Sequence, residues 1–301
     1  MHKLLFASPA RLGAAFLAIW LFSAAIAHAQ NPPASPSQTA APGQPASQSQ
    51  AEAKRNPNDE LLAKASKLYY SSSKAGLDGF DCGVHPDWRQ LFASANPGAA
   101  IAADDSRLEL LKTVKITLHA RMKGGSILDW SAPANPDKPL DDNSTSLLDG
   151  MHKATEQTLQ GFLQFWTPFV DGSAVPASSE GLEVTQTEKG YKLHATQEGT
   201  EVTEQLDNSL VMEQFNVVMS NVTVHFAPAY KYTDKGLLVN SFLAHIQPAG
   251  TPPEQMQEMH VAIEYQTIDA FPIPGKLFME VVGTGTFNFA FDGCTVNRQS
   301  K

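Results

Sequence analysis

Residues 261–281, VAIEYQTIDAFPIPGKLFMEV, and residues 287–297, FNFAFDGCTVN, carry the clearest β-strand pattern of the chain. In the second stretch, phenylalanine first occupies every other position, and the positions between hold Asn, Ala and Asp. A period of two is typical of a strand that buries one face. The sequence Pro272-Ile273-Pro274-Gly275 predicts a turn between two such strands. We therefore expect antiparallel strands joined by hairpins.

The same alternation recurs elsewhere in the chain, and it occurs at both ends of the first stretch. It is found in residues 114–121, 191–196, 218–226, 237–246, 260–266 and 277–282. Turn residues separate several of these segments, as at Glu188-Lys189-Gly190 and Asp234-Lys235-Gly236. Because the connections are short, neighbouring strands are expected to pair antiparallel.

Three other segments show the spacing of amphipathic helices. The longest runs from about Ser144 to Phe169, and its apolar stripe requires a large partner surface. Another is expected to begin at Asn58 or Asp59 and to stop at Gly76, and a short one to begin at Asp87. One long helix beside strands with half-polar faces predicts a single α+β domain in which a strongly curved sheet wraps around helices.

The N-terminal residues 1–29 have the features of a secretory signal peptide. Lys3 and Arg11 precede an almost wholly apolar run from Leu12 to Ala27, and Ala27-His28-Ala29 predicts cleavage before Gln30. The alternative is a retained membrane anchor, but the run of about sixteen residues is shorter than the ~20 that span a bilayer comfortably. The mature protein is therefore expected to be periplasmic or secreted.

Residues 30–58 are rich in Pro, Ala, Ser and Gln and predict a disordered linker, followed by one domain at 59–298. Removing the signal peptide takes away two basic side chains and changes the formal charge from −9 to −11. A nucleic-acid partner is disfavoured by this acidic balance. The mature chain has no further apolar run that predicts a transmembrane segment.

Cys82 and Cys294 are the two cysteines of the chain. In an oxidising compartment they predict a disulfide, which would contribute at most about 5 kcal/mol by the chain-entropy account. Two buried, unpaired thiols are the alternative. Neither cysteine has the neighbours of a redox or zinc motif.

The sequence offers no specific catalytic or metal motif. His119, His194, His225, His245 and His260 lie in predicted strands, yet no HExxH or His-x-His pair joins them into a metal site. The pairs Asp104-Asp105 and Asp141-Asp142 are expected to cap helices or face solvent. No catalytic residue, metal or cofactor is assigned, and the chain is expected not to be an enzyme.

A surplus of apolar side chains on predicted strands and on the long helix could line a cavity. The residues assigned to this cavity are Phe162, Phe165, Trp166, Leu238, Phe242, Met259, Ile263, Phe287 and Phe289. An ordinary filled core is the alternative.

The two stretches quoted first resemble the end of the LolA/LolB-like lipoprotein-carrier superfamily, in which a strand, an apolar-Pro turn and two further strands close the sheet. The order upstream is also similar, with a helix over residues 60–73, early strands over residues 114–121, a mid-chain helix and a meander. The resemblance covers residues 59–298. It implies an incomplete antiparallel β-barrel with helices covering its open side and an apolar cavity for acyl chains. The long mid-chain helix and the two cysteines depart from the pattern.

Three functional hypotheses follow. The first is a non-enzymatic binding protein for lipid or lipoprotein acyl chains. The second is an envelope module with a filled core that binds another protein or a polymer and no small ligand. The third is a hydrolase, which would require a polar cleft gathering His119, His225 or the paired aspartates.

Overall fold

A computed structural model of the protein describes residues 56–95, 101–102, 104–123, 125–132, 140–197 and 199–299. The predicted signal peptide and all but the last three residues of the predicted linker lie outside these ranges. Ordered structure begins slightly earlier than expected, because Asn56 already caps the first helix by accepting a hydrogen bond from the Asn58 N–H at 3.1 Å.

The described residues contain five α-helices and a short 3₁₀ turn at Pro253–Gln255. The helices are α1 Pro57–Leu68, α2 Ser72–Ala75, α3 Trp88–Ala95, α4 Ser106–Lys112 and α5 Asp142–Val170. The long helix matches its prediction closely, and Asp141 caps it by accepting from the Ser144 N–H at 2.7 Å. Gly76 ends α2 rather than α1, in the left-handed conformation with φ +87°.

Twelve strands form one sheet, in which every neighbouring pair is antiparallel. They are β1 Leu77–Pro86, β2 Lys115–Arg121, β3 Gly125–Ser131, β4 Glu183–Thr187, β5 Gly190–Gln197, β6 Thr200–Asp207, β7 Met212–Val218, β8 Val222–Thr233, β9 Gly236–Pro248, β10 Gln257–Ile268, β11 Phe271–Val281 and β12 Gly285–Arg298.

The sheet consists of two meanders joined along one seam. The order is β3-β2-β1-β12-β11-β10-β9-β8-β7-β6-β5-β4, so only the contact between β1 and β12 joins strands that are far apart in the chain. β3 and β4 are the two ends, and the sheet is not closed into a barrel. The predicted α+β class and antiparallel sheet are confirmed.

Ring contacts from one end of α5 show that the sheet is curved. Trp166 contacts Phe80 of β1 at 6.1 Å between ring centroids, and Phe165 contacts Phe226 of β8 at 5.3 Å. β1 and β8 are five strands apart in the sheet order, which on a flat sheet would separate them by about 24 Å. A helix with its side chains is only about 10–12 Å wide. β1 and β8 therefore lie closer together than they would on a flat sheet, so the sheet is curved.

The disulfide lies on the seam between the meanders. Cys82 of β1 and Cys294 of β12 are bonded, with 4.2 Å between their Cα atoms. The predicted pairing is confirmed, and the alternative of two unpaired thiols is wrong. The bond sits at an irregularity in the β1–β12 register, between Asp81 and Gly83.

Two predicted boundaries differ from the structure. The turn expected at Pro272–Gly275 falls inside β11, and the chain reverses instead at Asp269-Ala270, which both have positive φ. Both prolines are tolerated because β12 pairs with β11 only from Lys276 onwards, so their nitrogens face no second ladder. The segment 218–226 is not one strand, since β7 ends at Val218 and β8 begins at Val222.

Among the described helices, none is both long enough and apolar enough to cross a membrane.

Candidate interior site between α5 and the sheet

The nine residues predicted to line a cavity are all buried, each no more than 5% exposed. Three of them lie on α5 and the others on the sheet, and all belong to one continuous apolar cluster. Phe165 contacts Phe242 at 6.3 Å, and Phe162 stacks on Trp166 at 6.0 Å. The structure therefore brings the helix residues together with at least part of the predicted sheet residues.

Leu238 belongs to the same cluster but lies on the opposite face of β9 from Phe242. An irregularity in the β8–β9 pairing places Ala229 opposite Ser241 but Tyr230 opposite Val239. The extra residue in β9 shifts the alternation, so Val239 takes the face of Phe242. Leu238 pairs with the exposed Lys231 and lies on the other face.

The inner face of the sheet carries one row of residues that lie directly opposite one another on eight consecutive strands. This inner row consists of Val184, Leu193, Glu204, Phe215, Phe226, Ala244, Met259 and Val281. Phe215 contacts Phe169 of α5 at 6.1 Å, so the row faces the helix. Glu204 is the single ionisable residue of the row.

Glu204 is only 8% exposed, and its register neighbours are Leu193 and Phe215. Its Oε2 atom has no hydrogen-bond partner among the described residues. Burial in apolar surroundings raises the pKa of this carboxyl to about 8. At neutral pH the side chain is therefore a neutral acid that can donate one hydrogen bond and accept others.

Two tyrosines lie near Glu204. The Tyr69 hydroxyl accepts from the Met212 N–H at 2.7 Å and donates to the Leu210 carbonyl at 3.1 Å, and its ring meets Tyr230 edge-on at 5.3 Å. Burial, and to a lesser degree the Glu204 charge, raises the pKa of both phenols. Both tyrosines stay neutral at any ordinary pH.

Four other buried polar atoms have no hydrogen-bond partner within the described ranges. They are Tyr70 OH, His152 Nε2, Thr155 Oγ1 and Gln164 Oε1. Thr155 is 2% exposed and lies two helical turns before Phe162, on the same face of α5. Native cores leave very few such atoms, and each one requires an explanation.

The outer face of the sheet is polar. His119 lies between Asp81 at 2.8 Å and Asp129 at 3.1 Å, and Arg121 also binds Asp81. The hydrogen bond that His119 donates to Asp81 is the main cause of its raised pKa, and the hydrogen bond to Asp129 adds to it. His225 faces Asn216 elsewhere on the sheet, at 2.8 Å. The hydrolase hypothesis required a polar cleft gathering His119, His225 or the paired aspartates. His119 and His225 belong to separate hydrogen-bonded groups.

The paired aspartates cap helices, as expected. Asp105 accepts from the Arg107 N–H at 2.9 Å at the start of α4, and Asp141 caps α5. Other histidines pair across the outer face, where His245 and His260 both bond to Glu258, at 3.0 and 2.7 Å. No group of three or more potential metal ligands is found within the part of the chain that the structure describes.

Glu204 and Tyr69 were not singled out by the sequence analysis. A signal for Glu204 exists, since Val202, Glu204 and Leu206 share one face of an alternating segment. Tyr69 directly follows α1 as its C-cap residue, and nothing local shows that its hydroxyl reaches residues 210–212.

Comparison of the chain with protein-family models, curated proteins and solved structures finds no match in any of the three. The resemblance to lipoprotein carriers therefore stays a prediction.

Proposed function

We propose that the protein is a non-enzymatic, periplasmic or secreted binding protein that takes an acyl chain between α5 and the curved sheet. The disulfide and the lack of a membrane-spanning helix among the described residues are compatible with that location. Hiding an acyl chain from water is favourable by about 0.8 kcal/mol for each CH₂ group.

The observation that carries the proposal is the set of buried polar atoms without partners. Tyr70 contributes such an atom within the apolar cluster, and Glu204 contributes one between Leu193 and Phe215 of that cluster. Thr155 contributes one on α5, two turns before Phe162. Leaving a buried polar atom unpaired costs about 1–3 kcal/mol. An amphipathic ligand would offer partners for the polar atoms and apolar surface for the rings around them.

The path of α5 also supports the proposal. The helix follows the edge strand β3 in the chain and precedes the other edge strand, β4. Near its start His152 stacks on Trp130 of β3 at 4.9 Å, and near its end Phe169 contacts Phe215 of β7. A helix that runs from one edge towards the far half of the sheet is suitably placed to cover the open side of an incomplete barrel.

The test is binding of a fluorescent fatty acid to the purified protein, together with native mass spectrometry of protein purified without detergent. Ala244→Phe places a ring in the inner row, and Ala227→Phe places the same ring on the exposed face of β8. We expect binding by the wild type and by Ala227→Phe, with a loss of at least about tenfold for Ala244→Phe. If neither acyl chains nor co-purifying lipid bind the wild type, the proposal is wrong.

A second candidate is favoured by a different observation. Phe165, Phe226 and Phe242 contact one another at 5.3 to 6.3 Å, distances typical of packed rings. An envelope interaction module with a filled core would have such packing throughout. It would bind no fatty acid, and Ala244→Phe would then lower stability without affecting any ligand.

A further inference from the structure

We infer that Glu204 is the head-group site of the interior ligand, and that it selects chains ending in a carbonyl group, such as a fatty acid or its ester. This inference rests on the proposed function and specifies the class of ligand. Glu204 is the one carboxyl in the otherwise apolar inner row.

Among the described residues, no contact shows that the Glu204 carboxyl stabilises the fold. Leu193 and Phe215 lie opposite it on the two neighbouring strands, and Val202 and Leu206 flank it on the same face of β6. Within the described residues no ion pair includes Glu204, and Oε2 has no partner. A buried carboxyl without partners lowers stability, so the fold alone gives no reason for an acid at this position.

The chemistry of the carboxyl selects the partner. In its neutral form Glu204 offers one O–H donor and a carbonyl acceptor. A carbonyl oxygen on a ligand accepts from that O–H, and a carboxylic acid can form two reciprocal hydrogen bonds. An alkane can neither accept a hydrogen bond from the Glu204 O–H nor donate one to its carbonyl oxygen.

The neighbouring hydroxyls differ in availability. Tyr69 OH already donates to the Leu210 carbonyl and accepts from the Met212 N–H, so it is not available to a ligand. Tyr230 OH donates only a long bond of 3.7 Å to the sulfur of Met212 among the contacts described, and sulfur is a weak acceptor. Tyr230 can therefore serve as a second donor to the head group.

Binding should weaken as Glu204 ionises. The titratable groups near it are Tyr69 and Tyr230. Burial raises the pKa of both phenols, so both stay neutral over the pH range in which Glu204 ionises. The pKa of Glu204 itself is raised to about 8 by burial. A ligand that accepts a hydrogen bond from the neutral carboxyl should therefore bind below this pH and be released above it.

The experiment measures displacement of the fluorescent fatty acid by four competitors of equal chain length, namely a fatty acid, its methyl ester, the alcohol and the alkane. It uses the wild type, Glu204→Leu, Glu204→Gln and the control Glu201→Gln, which alters an exposed carboxyl on the same strand. Circular dichroism and thermal unfolding verify that each variant is folded.

The wild type and Glu201→Gln should prefer the acid and the ester over the alkane by about tenfold or more. Glu204→Leu should bind all four competitors with similar affinity, and Glu204→Gln should keep part of the preference for the ester. An unchanged preference in Glu204→Leu would overturn the inference. A wild type that binds all four equally would also overturn it while leaving the proposed function intact, and one that binds none would refute both.

Discussion

The indole N–H of Trp166 donates a 2.7 Å hydrogen bond to the hydroxyl of Tyr265, which in turn donates to the carbonyl of Val239 at 2.6 Å. This chain of hydrogen bonds ties α5 to β10 and β9. It lies beyond the β9–β10 ladder, whose last pair is Ser241 with Ala262. The Tyr265 side chain therefore links β10 to β9 at a point where the two strands no longer share backbone hydrogen bonds.

Replacing Tyr265 by Phe should destabilise the protein by about 1–3 kcal/mol, because the indole N–H and the Val239 carbonyl both lose a buried partner. Urea unfolding measures this change. Tyr232→Phe serves as the control, since Tyr232 is 80% exposed. Equal stabilities of the two variants would contradict the role assigned to the chain of hydrogen bonds.

The stability of the protein should fall as the pH rises from about 4.5 to about 8. The folded-state pKa of Glu204 is raised, so over this interval the folded protein binds a proton that the unfolded chain has released. The free energy of unfolding should therefore decrease by at most about 1.4 kcal/mol for each pH unit in this interval. Glu204→Gln should flatten this dependence in urea titrations. His119 also has a raised pKa and contributes the same sign, but it is present in both proteins.

Removing the disulfide should lower the free energy of unfolding by about 2–5 kcal/mol. The bond joins residues 212 positions apart, and it links the strands that connect the two meanders. The variant with both Cys82→Ser and Cys294→Ser should match the reduced and alkylated wild type in chemical denaturation. A double variant as stable as the oxidised protein would show that the seam does not depend on the bond.

The pKa of His119 should respond unequally to its two carboxylate partners. Asp81 is the main cause of its raised pKa, so Asp81→Asn should lower the value more than Asp129→Asn does. NMR titration of the imidazole resonances measures both changes. His194, which faces Thr203, provides an internal control because neither change touches it. The opposite ranking of the two variants would refute this assignment.

Gly236→Ala should cost considerably more stability than Gly250→Ala. Both glycines have positive φ, at +115° and +76° respectively. An added Cβ at Gly236 would lie 2.7 Å from the Leu68 carbonyl oxygen and 2.9 Å from the Tyr70 nitrogen, whereas nothing lies within 4 Å at Gly250. The alanine at 236 would clash with backbone atoms and also have a strained φ, whereas the alanine at 250 would have only the strained φ. Thermal unfolding of the two variants measures the difference in stability.

The strands that could be predicted from sequence are those with a clean alternation between a buried and an exposed face. Most of β8 to β12 and the helix α5 belong to this group. β1 was missed because its segment LDGFDCGVHP contains two glycines and two aspartates, which are disfavoured in strands. It forms nevertheless, because strands on both sides supply hydrogen bonds and Asp81 finds His119, Arg121 and Asn297.

The interior site was predicted only in its apolar part. Hydrophobic residues on alternating positions identify a buried strand face, and five of the six chosen strand residues lie on the inner face by this rule. The three helix residues came from the apolar stripe of α5. Leu238 is buried as well, but it lies on the opposite face of β9 from Phe242. No local signal marks the extra residue in β9, whose effect depends on the pairing with β8. Glu204 was passed over because a single Glu in a strand is normally exposed, and only the register reveals Leu193 and Phe215 on its two sides.

The seam between β1 and β12 also joins two strands that the ribosome makes at very different times. At about 5–20 residues per second, β1 is made roughly 10–40 seconds before the strand that completes its edge. Until β12 joins the sheet, this edge of β1 is a free ladder that can pair with another chain. A product that ends before β12 would lack the strand that pairs with both β1 and β11, so it should aggregate through two open strand edges, one of them among its first residues.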